Sequence, residues 1–302
     1  MSRFVEILEV GPRDGLQMEK PPFPTAKKVE LIKRFLDAGV RRIEVSSFVN
    51  PVKVPQMADA EAVMEAIRMY EGAFFTGLVL NRRGLDRAIA AGCNEIGMVI
   101  VASETFNRRN QGSSIAESVD AWSDIARVAA AAGVRAQITV SAAFGCPFEG
   151  EVPVERVLDI AQRVAEADPY EICFADSIGV GVPTQVSEIV SRARHLLPTT
   201  RIRGHFHNTR NTGIANAWAA VEAGVTALDA SIGGIGGCPF APAATGNIPS
   251  EDLLYMLHRA GIQTGISLAR MIDIARWMEL QLGHSVPGAL IRAGDFAPVA
   301  AA

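Results

Sequence analysis

Lys27-Lys28-Val29-Glu30-Leu31-Ile32-Lys33-Arg34-Phe35-Leu36-Asp37-Ala38-Gly39-Val40-Arg41-Arg42-Ile43-Glu44-Val45-Ser46 reads as one complete helix-to-strand unit. Val29, Leu31, Ile32, Phe35 and Leu36 fall on one face at helical spacing. Gly39 then supplies the residue that can turn left-handed at a helix end. The β-branched run Arg42–Ser46 comes next as a strand. The hinge of this unit recurs, as Ala38-Gly39-Val40, Ala91-Gly92-Cys93, Ala132-Gly133-Val134 and Ala223-Gly224-Val225. Repetition of one such unit means parallel strands joined by crossover helices.

Working outward, eight strand-like runs appear. They are Val5–Val10, Arg42–Ser46, Phe74–Leu80, Ile96–Val101, Ala136–Ser141, Glu171–Ala175, Ile202–His207 and Ala227–Ile232. Eight βα units before residue 262 fit an α/β fold of the (β/α)8 TIM barrel type, typically ~250 residues. A doubly wound open sheet is the runner-up. Its first turn would be a Gly-rich dinucleotide fingerprint, and Gly11-Pro12-Arg13-Asp14-Gly15 is not one. Residues 262–302 are expected to form a short helical C-terminal extension, with Ile266–Leu282 helical. With no linker in view, residues 1–302 are expected to form a single catalytic domain.

The 302 residues carry 29 Lys+Arg against 33 Asp+Glu, a net charge of −4, which argues against nucleic acid as a partner. No signal layout opens the chain, and no apolar stretch is long enough for a bilayer, so no membrane partner and a cytoplasmic location are expected. The four cysteines, 93, 146, 173 and 238, form no CxxC pair. Cys93 and Cys173 are assigned to packing.

In a (β/α)8 barrel the chemistry sits where the strands end. At the end of strand one stand Arg13, Asp14 and Gln17, and at strand two Glu44, Ser46 and Ser47. Strand five leads into Gly145-Cys146-Pro147, and strand six into Asp176-Ser177. His205-Phe206-His207-Asn208 ends strand seven, and Gly233–Pro239 with Gly246-Asn247 lies past strand eight. His205 and His207 are two apart on a strand and so face the same way. Two imidazoles, the Asp14 carboxylate and the Asn247 amide oxygen suit a divalent ion such as Mg2+ or Mn2+, although these ligand types also admit zinc. Arg13 is placed to stabilise a developing oxyanion. Glu44 and Asp176 are expected to orient the ligands or Arg13. Gln17, Ser47 and Ser177, with Arg13, are candidate substrate contacts. Cys238 and Cys146 are both candidate thiols, and spacing does not rank them. Arg82-Arg83 and Arg108-Arg109 lie just past strands three and four, where either pair could meet phosphates.

These motifs closely resemble the 3-hydroxy-3-methylglutaryl-CoA lyase family. The resemblance rests on Val10–Gln17, Ile43–Phe48, Val54-Pro55-Gln56-Met57, Gly145–Gly150, His205-Phe206-His207, Gly236-Gly237-Cys238-Pro239-Phe240 and Gly246-Asn247 with Glu251-Asp252-Leu253. It runs in order from about Val5 to about Gly265. It implies a metal-dependent barrel that cleaves 3-hydroxy-3-methylglutaryl-CoA to acetyl-CoA and acetoacetate, with Asp14, His205, His207 and Asn247 as ligands. It also implies Arg13, Asp14, His205 and Cys238 as catalytic residues, which ranks Cys238 above Cys146, and a possible homodimer.

The chain departs from the family pattern at strand six, where Cys173-Phe174-Ala175-Asp176-Ser177 replaces Ser-Leu-Gly-Asp-Thr, and at Asn208, where Asp is usual. Gly233-Gly234-Ile235 replaces Ala-Gly-Leu, and Gly283–Gly288 differs from the usual polar tail. Strand six helps shape the acyl pocket, so a related substrate such as citramalyl-CoA is the alternative. A Claisen-condensing enzyme and a non-catalytic CoA-binding barrel are the remaining readings. The chain is short for the regulatory region of the first, and the four catalytic-type residues together argue against the second.

Overall fold

The computed structural model describes residues 3–238 and 241–296, with the main chain alone at 238 and 241–245. Eight parallel strands close into a barrel in sequence order: β1 (Glu6–Glu9), β2 (Arg42–Ser47), β3 (Phe74–Leu78), β4 (Glu95–Val101), β5 (Arg135–Ser141), β6 (Glu171–Asp176), β7 (Ile202–Phe206) and β8 (Ala227–Ala230). The ring is sealed by β1 against β8, with Glu6 beside Ala227 and Glu9 beside Ala230. Closure leaves no free sheet edge.

Helices wrap the barrel: α1 (Thr25–Ala38), α2 (Ala60–Ile67), α3 (Arg82–Ala91), α4 (Glu104–Gln111), α5 (Ile115–Ala131), α6 (Val154–Ala165), α7 (Pro183–Leu196), α8 (Gly213–Glu222) and α9 (Ser250–Arg259). Leu31, Ile32 and Phe35 of α1 are fully buried, each worth roughly 1.5–3 kcal/mol of transfer free energy. The repeated hinge glycines 39, 92, 133 and 224 all adopt the left-handed conformation, with φ between 69° and 100°. That geometry is why the unit can repeat. Ser114 and Glu117 close a capping box on α5.

The (β/α)8 expectation therefore holds, with strand ends shifted by one or two residues. Strand eight is shorter than its apolar run, because Ile232 leaves the sheet for a tight turn over Ile232–Gly234. A two-stranded hairpin, β9 (Gly237–Cys238) and β10 (Ala241–Thr245), rises beyond that turn. The C-terminal extension carries α10 (Leu268–Leu282) and α11 (Leu290–Ala293). Between them the chain crosses the Gly-rich turn, and the Gly288 N–H donates to the Gly233 carbonyl at 3.0 Å.

The barrel interior holds charge that the strand patterns did not disclose. Arg42 on β2 meets Glu95 on β4 at 3.0 Å and Glu171 on β6 at 2.9 Å. Groups on alternate strands can meet in this way only inside the barrel. Thr76 and Gln137 donate to the same Glu95, so a polar layer replaces part of the usual branched apolar filling.

Candidate active site

Arg13 and Asp14 sit in a single π-helical turn, Gly11–Gly15, at the end of β1. The turn is held by Glu9, which is fully buried and accepts from the Gly11 and Ile232 N–H groups, each at 2.9 Å, and from the Ser250 hydroxyl at 2.5 Å. Glu9 thus ties the first loop to the eighth. Burial outweighs these hydrogen bonds and pushes its pKa up to about 7.

The Arg13 guanidinium donates through Nε to Glu44 at 2.7 Å and through Nη1 to Asp14 at 2.7 Å. Glu44 therefore holds the Arg13 guanidinium. Asp176 does not touch Arg13. Its two carboxylate oxygens accept from the N–H groups of Val180 and Gly181, at 3.0 and 2.8 Å, and its main-chain carbonyl accepts from the His207 N–H at 3.3 Å.

Asp14, His205 and His207 each offer a ligand atom, and these three atoms lie within 4.8 Å of one another. The two imidazole rings are 5.1 Å apart. Asn247 is brought in by a main-chain bridge to His207. Its Nδ2 donates to Asp14 Oδ2 at 2.9 Å and to the Ile235 carbonyl, while its buried Oδ1 has no partner. A buried acceptor without a donor is costly unless something electropositive sits against it. Two imidazoles, a carboxylate and an orphaned amide oxygen fit a divalent cation.

The electrostatics agree. Burial alone would raise Asp14, but Arg13 and both imidazoles outweigh it and hold the carboxylate at about 2. Burial and the neighbouring His205 push His207 down to about 4, so it is a neutral imidazole with a free lone pair at neutral pH. Burial also opposes charge on His205, yet Asp229 prevails and raises its pKa. His205 Nδ1 is 3.0 Å from Asp229 Oδ2.

Gln17 is half-buried at the same end of the barrel, and the buried Ser47 hydroxyl has no partner. The Ser177 hydroxyl accepts from the Ala142 N–H. The side chain of Cys238 lies outside the described residues. Cys146 is buried, its sulfur 2.9 Å from the Ser103 hydroxyl and accepting from the Phe148 N–H, which packs it into the loop after β5. Cys93 and Cys173 are buried, and burial pushes both thiols up, Cys93 to about 12. Arg82 is paired with Asp86 and Asp124, and Arg108 with Glu104, while Arg109 lies 4.2 Å over the Phe148 ring.

Sequence reasoning missed Asp229, Glu9 and Arg203. Asp229 did carry a signal, since a lone carboxylate inside the apolar run Ala227–Ile232 has to find a partner when buried.

This barrel and its mouth are shared with a family of carbon–carbon lyases. The chain belongs to the HMGL-like family, whose model matches residues 4–278. It is 43% identical to the (R)-citramalyl-CoA lyase of Chloroflexus aurantiacus, over 97% of this chain and 96% of that protein. It is 41% identical to the hydroxymethylglutaryl-CoA lyase of Pseudomonas mevalonii, over 92% and 93% respectively. The solved structure of an HMG-CoA lyase from Acinetobacter baumannii, in complex with coenzyme A and 3-methylmalate, superposes with a TM-score of 0.94 at 38% identity, covering 99% of this chain and 98% of that one. Among the described residues no helix is long and apolar enough to cross a membrane.

Proposed function

We propose that this protein cleaves 3-hydroxy-3-methylglutaryl-CoA to acetyl-CoA and acetoacetate, assisted by Mg2+ or Mn2+. The observation that carries the reading is the Asp14–His205–His207 cluster with the orphaned Asn247 oxygen beside it, set against an Arg13 fixed by Glu44. A divalent cation bound there supplies Lewis acidity, lowering the pKa of the substrate's tertiary hydroxyl.

The chain's own groups then divide the work. Asp14, His205 and a bound water are the candidate acceptors for the hydroxyl proton. As that oxygen becomes the ketone of acetoacetate, the carbon–carbon bond breaks and its electron pair passes into the thioester as an enolate. Arg13 faces that charge with a guanidinium that is already held in place, so it need not reorganise as the charge forms. A proton delivered to the carbon completes acetyl-CoA, and Cys238, in the hairpin above the mouth, is assigned that role. Gln17, Ser47 and Ser177 are assigned to the acyl group.

A second substrate, citramalyl-CoA, yielding acetyl-CoA and pyruvate, is favoured by a specific feature. Ala175 pairs in register with His205, placing a methyl group beside the cluster where the family pattern has glycine. Citramalyl-CoA is one methylene shorter than 3-hydroxy-3-methylglutaryl-CoA. The 43% identity to a citramalyl-CoA lyase points the same way. Coupled turnover with each thioester, in Mg2+ or Mn2+ and reading acetyl-CoA release, decides between them. Cleavage of neither would overturn the proposal.

A further inference from the structure

Below the mouth, Arg203 occupies the middle of the barrel and is 2% exposed. Its guanidinium is held by three strands at once. Nε donates to Glu171 on β6 at 2.8 Å, Nη2 to Gln137 on β5, and Nη1 to Asp229 on β8. Asp229 divides its oxygens between two partners, Oδ1 to Arg203 and Oδ2 to His205 Nδ1. A planar fork engaged on every side fixes the carboxylate it holds, which a flexible ammonium would not do.

We infer that Asp229 and Arg203 are positioning residues for His205. Asp229 accepts the Nδ1 proton, so the ring presents its Nε2 lone pair to the mouth, and Arg203 fixes the carboxylate that does so. The inference rests on the metal reading proposed above. Both residues are buried beneath the mouth. Their contribution is to set the tautomer and tilt of one ring, as partners behind a ligating histidine do in general. Arg42 provides the internal comparison. It shares Glu171 with Arg203 and is equally buried, yet it contacts neither Asp229 nor His205.

The test is Mn2+ binding to the otherwise ligand-free protein, tracked by the paramagnetic resonance signal of free Mn2+. Asp229→Asn is expected to weaken binding about 10- to 100-fold. The double variant Arg203→Met with Asp229→Asn removes both charges together and is expected to lose as much. Arg42→Gln is expected to bind like the parent. Parent-like affinity in Asp229→Asn, or an equal loss in Arg42→Gln, would overturn the inference.

Nitrogen chemical shifts of the Mg2+-loaded parent provide a reading that needs no variant. A proton on His205 Nδ1 is the expected result, and a proton on Nε2 overturns the inference. A parent protein that binds no Mn2+ would instead overturn the metal reading itself, and this inference with it.

Discussion

Arg13 and Glu44 are joined through one carboxylate oxygen, Glu44 Oε2, which receives Nε at 2.7 Å and Nη2 at 2.6 Å. The remaining arm of the fork goes to Asp14. In the reaction proposed above, the cation that meets the enolate charge is thereby aimed before that charge forms. Burial raises the pKa of Glu44, and Arg13 pulls against it, so the pair is mutually dependent. Glu44→Gln weakens the charge that holds Arg13. The expected effect is a fall of about 10²-fold in kcat with a small change in KM, the pattern of a displaced catalytic group. An unchanged kcat would show that Asp14 alone places the guanidinium.

Gly236 has a φ of +120°, and a Cβ there would lie 2.6 Å from Asn247 Nδ2. Alanine at this position must displace the amide that links Asp14 to the loop after β8. Gly236→Ala is expected to reduce Mn2+ affinity about 10-fold, measured by calorimetry. Retained affinity would remove Asn247 from the ligand set.

Cys238→Ala is expected to cut turnover by about 10²–10⁴-fold, the usual range for a lost proton donor, while Mn2+ still binds. Near-normal turnover would reassign the final protonation.

Ala175→Gly opens space beside His205. The ratio of kcat/KM for 3-hydroxy-3-methylglutaryl-CoA over citramalyl-CoA should rise by about 10-fold or more, the order of discrimination one methylene supplies. A constant ratio would place the determinant elsewhere in the pocket.

Glu251 is fully buried, with Oε2 accepting from the Gly233 N–H and Oε1 unpartnered, and burial pushes its pKa up to about 8. The folded protein therefore keeps a proton that the unfolded chain gives up near 4.5. Its contribution to stability is whole below pH 4.5 and falls as pH rises to about 8, by a few kcal/mol at the order-of-magnitude level. Glu9 adds the same sign of dependence between 4.5 and about 7. Denaturant midpoints should drop across this window, and Glu251→Gln should flatten the slope. An equal slope in the variant would locate the dependence in other groups.

The barrel was legible because its repeat is local: a helix face, a left-handed glycine and a strand recur within reach of one another. The Asp14–His205–His207 cluster was legible for a related reason, since each member sits where a strand ends. Arg203, Asp229 and Glu9 were not legible in the same way. In a closed parallel barrel both faces of a strand are buried, so alternation does not reveal which side a polar residue takes. Their partners come from other strands far along the chain, as with Glu9 and Ser250. Asp176, at a strand end, suits both an active-site role and a loop-shaping one. Its bonds to the N–H groups of Val180 and Gly181 are not disclosed by spacing along the chain.

Gly233 is anchored at both of its polar atoms, its N–H by Glu251 of α9 and its carbonyl by Gly288 of the extension. The hairpin beyond it thus springs from a shoulder that the last part of the chain braces, and Gly246 fastens the other side through its N–H to the Gly236 carbonyl. The extension acts as a splint for the arm beside the mouth. Any insertion or trimming between α10 and α11 would be felt as a change of aim at the mouth.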